Sequence, residues 1–133
     1  MLYLLDTNVC SAVIKRHSDA DGKLAALDPA DVCISAVTYS ELRFGVALAA
    51  PARRLEALVD EFLACVRCEP WDQLAADRHG TLRAHLRLTG RPIGQFDEMI
   101  AAHALALQAV VVTNNEKHFR QVPGLKVVNW IQR

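Results

Sequence analysis

Met1-Leu2-Tyr3-Leu4-Leu5-Asp6-Thr7-Asn8 opens the chain as an apolar run too short for a helix and stopped by a carboxylate. Such a run reads as a buried strand, and the pattern returns at Val32 to Ser35, Val110 to Thr113 and Leu125 to Val128. A weaker candidate lies around Val66 to Trp71, where Pro70 ends it. Between the runs lie segments of helical character, roughly Val37 to Ala49, Pro51 to Cys65, Asp72 to Leu88 and Phe96 to Gln108. Alternating strand and helix predicts an α/β domain with a mainly parallel central sheet flanked by helices on both faces. Pro51 is placed to start a helix, and Thr89-Gly90-Arg91-Pro92 to stop one. Asp28-Pro29-Ala30-Asp31 and Val122-Pro123-Gly124 read as turns.

At 133 residues the chain falls in the range of one domain, and nothing within residues 1–133 marks a boundary, repeat or linker. Hydrophobic residues make up 52%, enough for a core, yet no apolar run approaches the roughly 20 residues of a membrane span. The apolar start is broken by Asp6, no basic stretch precedes it and no small-residue cleavage site follows, so a soluble, cytoplasmic protein is expected. Cys10, Cys33, Cys65 and Cys68 are too few and too irregular for a disulfide scaffold. Cys65-Val66-Arg67-Cys68 has CxxC spacing, but no second pair completes a zinc site, and all four are expected to be buried structural thiols. With 15 basic and 15 acidic residues the net charge is zero, so any basic surface must be local.

Ligands of open parallel sheets bind beyond the carboxyl ends of the strands. Asp6 follows the first strand directly, Glu41 lies in the first turns after the second, and Asn115 follows the Val110 strand by two residues. All three belong on one edge. Asp97 starts the helix that feeds the Val110 strand, which parallel connectivity is taken to place at the opposite edge unless the preceding loop brings it across. Ile100, Ala101 and Ala104 share its helix face, and small residues there let the helix approach the sheet. His103 is rotated about 120° from Asp97 and reads as a polar residue at the helix flank, not a ligand. An Asp after a strand also serves as a helix cap, and an acid in an early helical turn as a dipole partner. Gathered together, such carboxylates repel, and a hard divalent cation such as Mg²⁺ or Mn²⁺ resolves the conflict.

Several stretches carry a family likeness. They are Met1 through Asn8; Ile34-Ser35 through Glu41-Leu42 and Gly45; Gly90-Arg91-Pro92-Ile93-Gly94 with Asp97 and Ile100-Ala101-Ala102-His103-Ala104; Val112-Thr113-Asn114-Asn115 with Phe119; and Val122-Pro123-Gly124-Leu125 with Asn129-Trp130. In order and spacing these resemble the PIN-domain ribonucleases, and most closely the VapC toxins of VapBC toxin-antitoxin systems. The resemblance implies a PIN-like three-layer fold in which Asp97 joins the acidic pocket. It implies that Asp6, Glu41 and Asp97 bind Mg²⁺ or Mn²⁺ and activate water for attack on an RNA phosphodiester. Thr7, Asn8 and Thr113 match polar positions that hydrogen-bond those carboxylates. Asn115 stands where many relatives carry a fourth Asp, and Glu116, the adjacent acid, is expected to point away. A VapB-type antitoxin, a homodimer and a structured RNA, with the anticodon region of initiator tRNA foremost, are further expectations of the likeness.

Arg83, Arg87 and Arg91 at spacing four form a candidate RNA-phosphate stripe, with Arg78 and His85 nearby. The same residues also suit a solvated helix face ion-paired to Asp77 or Glu69. Two other functional classes bear comparison. A receiver-type signalling domain requires paired acids after the first strand, where this chain has Thr7 after Asp6. A catalytically silent PIN-like scaffold would not need all three acids.

Overall fold

The computed structural model describes residues 1–16 and 20–131; residues 17–19 and 132–133 of the expected 1–133 domain lie outside the described part. Five strands, β1 (Tyr3–Leu5), β2 (Val32–Ser35), β3 (Arg67–Glu69), β4 (Val110–Val112) and β5 (Lys126–Val128), pair in the order β3-β2-β1-β4-β5. Every pairing is parallel, with Leu4 beside Cys33 and Val111, and Leu5 beside Ile34 and Val112. The chain steps outward from β1 to β3 and then returns to the other side of β1 with β4. The direction of winding therefore reverses between β1 and β4, where such sheets form a crevice at their carboxyl edge.

Among the described residues seven α-helices join the strands: α1 (Thr7–Lys15), α2 (Ala20–Ala25), α3 (Ala36–Leu48), α4 (Arg53–Cys65), α5 (Gln73–Leu88), α6 (Gln95–Leu107) and α7 (Glu116–Phe119). Alternation along each strand divides the core in two. Leu4, Cys33 and Val111 pack with Leu82, Leu86, Ile100 and Ala101 from α5 and α6. Leu5, Ile34 and Val112 pack with Val9, Leu42, Val59 and Phe62 from α1, α3 and α4. The result is the three-layer sandwich. Among the described residues no helix is long and apolar enough to cross a membrane.

The four long helices fall within one residue of their sequence positions, apart from the start of α4. There Pro51 precedes the helix, which begins at Arg53. The stop after α5 is a Schellman turn: Gly90 adopts φ +68°, its N–H donates to the Arg87 carbonyl, and the Arg91 N–H donates to that of Leu86. The sequence reading did not foresee α1, α2 or α7, all short; α1 carries an apolar face of Val9, Cys10 and Ile14 that the reading passed over.

Three expectations need correction. Cys10 and Cys33 are buried, but Cys65 and Cys68 are exposed, because Cys65 ends α4 and Cys68 lies on the edge strand β3. His103 is buried, with Nδ1 2.8 Å from Ser35 Oγ. Residues Ile100 to Ala104 are all buried, so that stretch of α6 has no solvent flank for His103 to occupy. Burial lowers its pKa and favours the neutral ring. Finally, Asp97 stands at the carboxyl edge after all. Only Gln108 and Ala109 separate α6 from β4, with Ala109 N–H bonded to the Ala104 carbonyl, so the helix ends beside the start of its strand. Its 13 residues run back about 20 Å against the strand direction and bring their first turn to the edge where Asp6 lies.

Candidate functional site

Asp6 is the centre of the crevice. Its backbone N–H continues the sheet by donating to the Val112 carbonyl, and its side chain caps α1, with Oδ1 accepting from Val9 N–H at 2.9 Å. The other oxygen, Oδ2, accepts from Thr113 Oγ1 at 2.6 Å, a bond across the gap between the ends of β1 and β4. The carboxyl is only 2% exposed, and its pKa is pushed up to about 6. Burial is the main cause, repulsion by Asp97 and Glu41 adds to it, and the bonds from Thr113 and Val9 oppose it.

The other two carboxylates come from the starts of helices. Ser35 caps α3 by accepting from Val37 N–H, while its hydroxyl also meets the His103 ring, so α6 and α3 are clamped together. Glu41 projects from the second turn of α3, and Thr7 Oγ1 donates to its Oε1 at 2.6 Å. Asp97 lies in the first turn of α6, half-buried, with its pKa raised by burial against the counteracting effect of His118. His118 Nδ1 is 3.7 Å from Asp97 Oδ2 and 2.7 Å from Asn115 Nδ2, and Asn115 N–H donates to Thr113 Oγ1 at 2.8 Å. Contacts thus run from Glu41 through Thr7, and from Asp6 through Thr113, Asn115 and His118 to Asp97.

The structure therefore brings Asp6, Glu41, Asp97, Thr7, Thr113 and Asn115 to one place. Asn8 is exposed and hydrogen-bonds none of the three carboxylates. Glu116 turns away as expected, toward Arg120 at 2.7 Å and Asn129 at 3.1 Å. Among the described residues no three His, Cys, Asp or Glu side chains stand close enough together, as placed, to hold a metal ion. His118 escaped the sequence reading. Its signal was the spacing Asn115-x-x-His118, which puts both residues on one side of a helical turn.

Arg83 and Arg87 line a cavity of about 510 Å³ with Gly90, Pro92, Gln95 and Glu98, at the start of α6. Arg91 is exposed but does not line it. Among the described residues none of the three arginines is ion-paired, and Glu69 is paired with Arg67 instead. Phe96, adjacent to Asp97, is 54% exposed.

A parallel sandwich with carboxylates from β1, α3 and α6 meeting where its winding reverses is the design of a PIN-domain nuclease, and the PIN domain family matches residues 3–125. The tRNA(fMet)-specific endonuclease VapC of Shigella flexneri is 36% identical over 128 residues, covering 96% of this chain and 97% of that protein. Among solved structures, DNA-bound VapBC from Salmonella typhimurium contains a chain with TM-score 0.91 and 36% identity, covering 98% of this chain and 99% of that one. VapBC2 from Rickettsia felis bound to a promoter DNA fragment gives 0.90 and 33%, with the same coverage. The chain belongs to the PIN-domain family, in its VapC ribonuclease branch.

Proposed function

We propose that the chain acts as one cytoplasmic domain, the toxin of a type II toxin-antitoxin pair, and hydrolyses a phosphodiester in structured RNA with Asp6, Glu41 and Asp97 holding Mg²⁺ or Mn²⁺. One observation carries this reading: a buried carboxylate kept from ionising easily, with two further carboxylates facing it at the crevice. A set of carboxylate oxygens suits a hard cation. When bound, the ion supplies Lewis-acid polarisation of the phosphodiester and a more acidic water. The chain's own residues do the positioning. Thr113 and Val9 fix the Asp6 carboxyl plane, and Thr7 aims Glu41.

Arg83 and Arg87, without ion pairs among the described residues and lining a cavity with Gln95 and Glu98 from the start of α6, offer phosphate contacts, and exposed Phe96 offers a face on which an unstacked base can lie. The Shigella relative's name supports initiator tRNA as the substrate. The direct test is incubation of the purified protein with initiator and elongator tRNA transcripts, with Mg²⁺, with Mn²⁺ and with chelator. Cleavage confined to the initiator anticodon region and stopped by the chelator is expected; equal cleavage in chelator would overturn the metal role. Replacing Arg83, Arg87 and Arg91 by Gln is expected to weaken RNA binding and to flatten its salt dependence by about one unit of slope for each phosphate that is no longer neutralised. An unchanged slope would leave the stripe as a solvated face.

The antitoxin reading rests on charge and shape. From Thr7 and Glu41 an apolar groove continues past Leu42, Val46, Leu55 and Val59, between α1, α3 and α4. An extended tail of a VapB-type partner fits there, with an Arg laid against the carboxylates. Phe44 and Leu48 on the outer face of α3 remain exposed, apolar surface that a homodimer or larger complex would cover. Expression of the chain alone should arrest growth, and co-expression with the gene beside it should restore growth. Harmless expression of folded, RNA-cleaving protein would contradict the toxin role.

A further inference from the structure

His118 stands in the position of a ligand that a chain without a fourth acid lacks. Its Nδ1 lies 3.7 Å from Asp97 Oδ2, too far for a hydrogen bond. Two donor atoms each about 2.1 to 2.2 Å from one ion, separated by 90° to 120° at that ion, stand about 3.0 to 3.7 Å apart. The observed gap is therefore of the size that an ion held between the two atoms would leave. The ring is also prepared for such a role. Asn115 Nδ2 stands 2.7 Å from Nδ1, so one contact holds the ring edge that also faces Asp97 Oδ2 at 3.7 Å. Phe119, next in sequence and fully buried, anchors the short helix that carries the imidazole. Glu116, the acid nearest to Asn115, is occupied by Arg120 and Asn129 and leaves the place to His118.

We propose that His118 is a metal ligand, pairing with Asp97 to hold a transition-metal ion such as Mn²⁺ in preference to Mg²⁺. The inference rests on the metal-site reading given above. The chemistry follows from the donor. Imidazole nitrogen is a borderline ligand that Mg²⁺, which demands oxygen, takes poorly, while affinity for nitrogen rises through the first-row transition ions. A site of four carboxylates would favour charge alone; this one adds a neutral nitrogen and thereby discriminates between ions.

The test uses Mn²⁺ and Mg²⁺ themselves, titrated calorimetrically into the parent, His118→Gln and Asp97→Asn proteins, with electron spin-echo spectra of the Mn²⁺ forms. Circular dichroism confirms that each variant is folded. His118→Gln is expected to lose at least about tenfold in Mn²⁺ affinity with Mg²⁺ affinity changed less than about twofold, and the imidazole ¹⁴N modulation seen in the parent should vanish. If His118→Gln binds Mn²⁺ as the parent does and the parent shows no ¹⁴N modulation, the ligand assignment is wrong, while loss of binding in Asp97→Asn would still support the carboxylate site. Undiminished Mn²⁺ binding in both variants would overturn the assignment and the carboxylate site together.

Discussion

Asp97→Asn should reduce RNA cleavage by roughly two to three powers of ten while the protein stays folded. Asparagine keeps the shape of the side chain and removes the charge, and an ion's contribution to a phosphodiester transition state is worth several kcal/mol. The fold has little at stake at this position. Asp97 is half-buried, caps no helix, and meets the His118 ring at 3.7 Å. Losing a carboxylate from the first turn of α6 costs about 0.3–1 kcal/mol through the helix dipole. Cleavage of labelled RNA under single-turnover conditions, set beside a thermal melt, separates the two effects. Full cleavage by a homogeneous Asp97→Asn protein would remove Asp97 from the site.

Asp6→Asn should behave differently, gaining stability at neutral pH as it loses activity. The Asp6 carboxyl has its pKa raised from 3.8 to about 6 in the fold, so the folded state holds that proton more tightly than the unfolded chain. The contribution to stability is full below about pH 4 and is lost as pH rises through about 6, leaving a cost near 3 kcal/mol at pH 7. Asparagine does not titrate. Its oxygen still caps α1 at Val9, and its N–H₂ can donate to the second lone pair of Thr113 Oγ1, which already accepts from Asn115 N–H. Urea unfolding of parent and variant in chelator should give curves that converge near pH 4 and separate toward pH 7, the variant being more stable by up to about 3 kcal/mol. A variant less stable than the parent at pH 7, with no pH dependence in the difference, would show that ionised Asp6 is well accommodated. Thr113→Val should move the other way by about 1–3 kcal/mol, because it strips a buried carboxylate and the Asn115 N–H of their partner.

The strands were legible because buried parallel strands leave continuous apolar runs, and Leu4, Leu5, Ile34 and Val111 are such residues. Asp6, Glu41 and Asn115 were legible from their places after those runs. Asp97 was misplaced by the connectivity argument, which overlooked that a helix returning to its next strand runs against the sheet and so begins at the carboxyl edge; the family likeness placed it correctly. His103 was misread because helical periodicity locates a residue around the axis without saying how many sides of the helix are covered. His118 was passed over although the Asn115-x-x-His118 spacing was there to be read, because spacing alone does not say what the pair faces. Its place depends on how Asn115 folds back onto Thr113, a contact no local pattern announces. The thiols at Cys65 and Cys68 were assigned by residue type, and an edge strand defeats that rule.

The two-residue junction between α6 and β4 makes the distance from strand to catalytic edge a matter of counting. Gln108 holds φ +55° to close the turn, and the register of β4 beside β1 is fixed from Val110 onward. Each residue added to or removed from α6 would swing Asp97 by about 100° and shift it by about 1.5 Å, so a single insertion would point the carboxylate out of the crevice with the sheet intact. The Gly90–Gly94 loop at the other end has open space around both glycines, but each holds a positive φ, +68° and +99°, that favours glycine. Strand register therefore sets the length after the helix and turn conformation sets it before, and the helix serves this enzyme as its gauge.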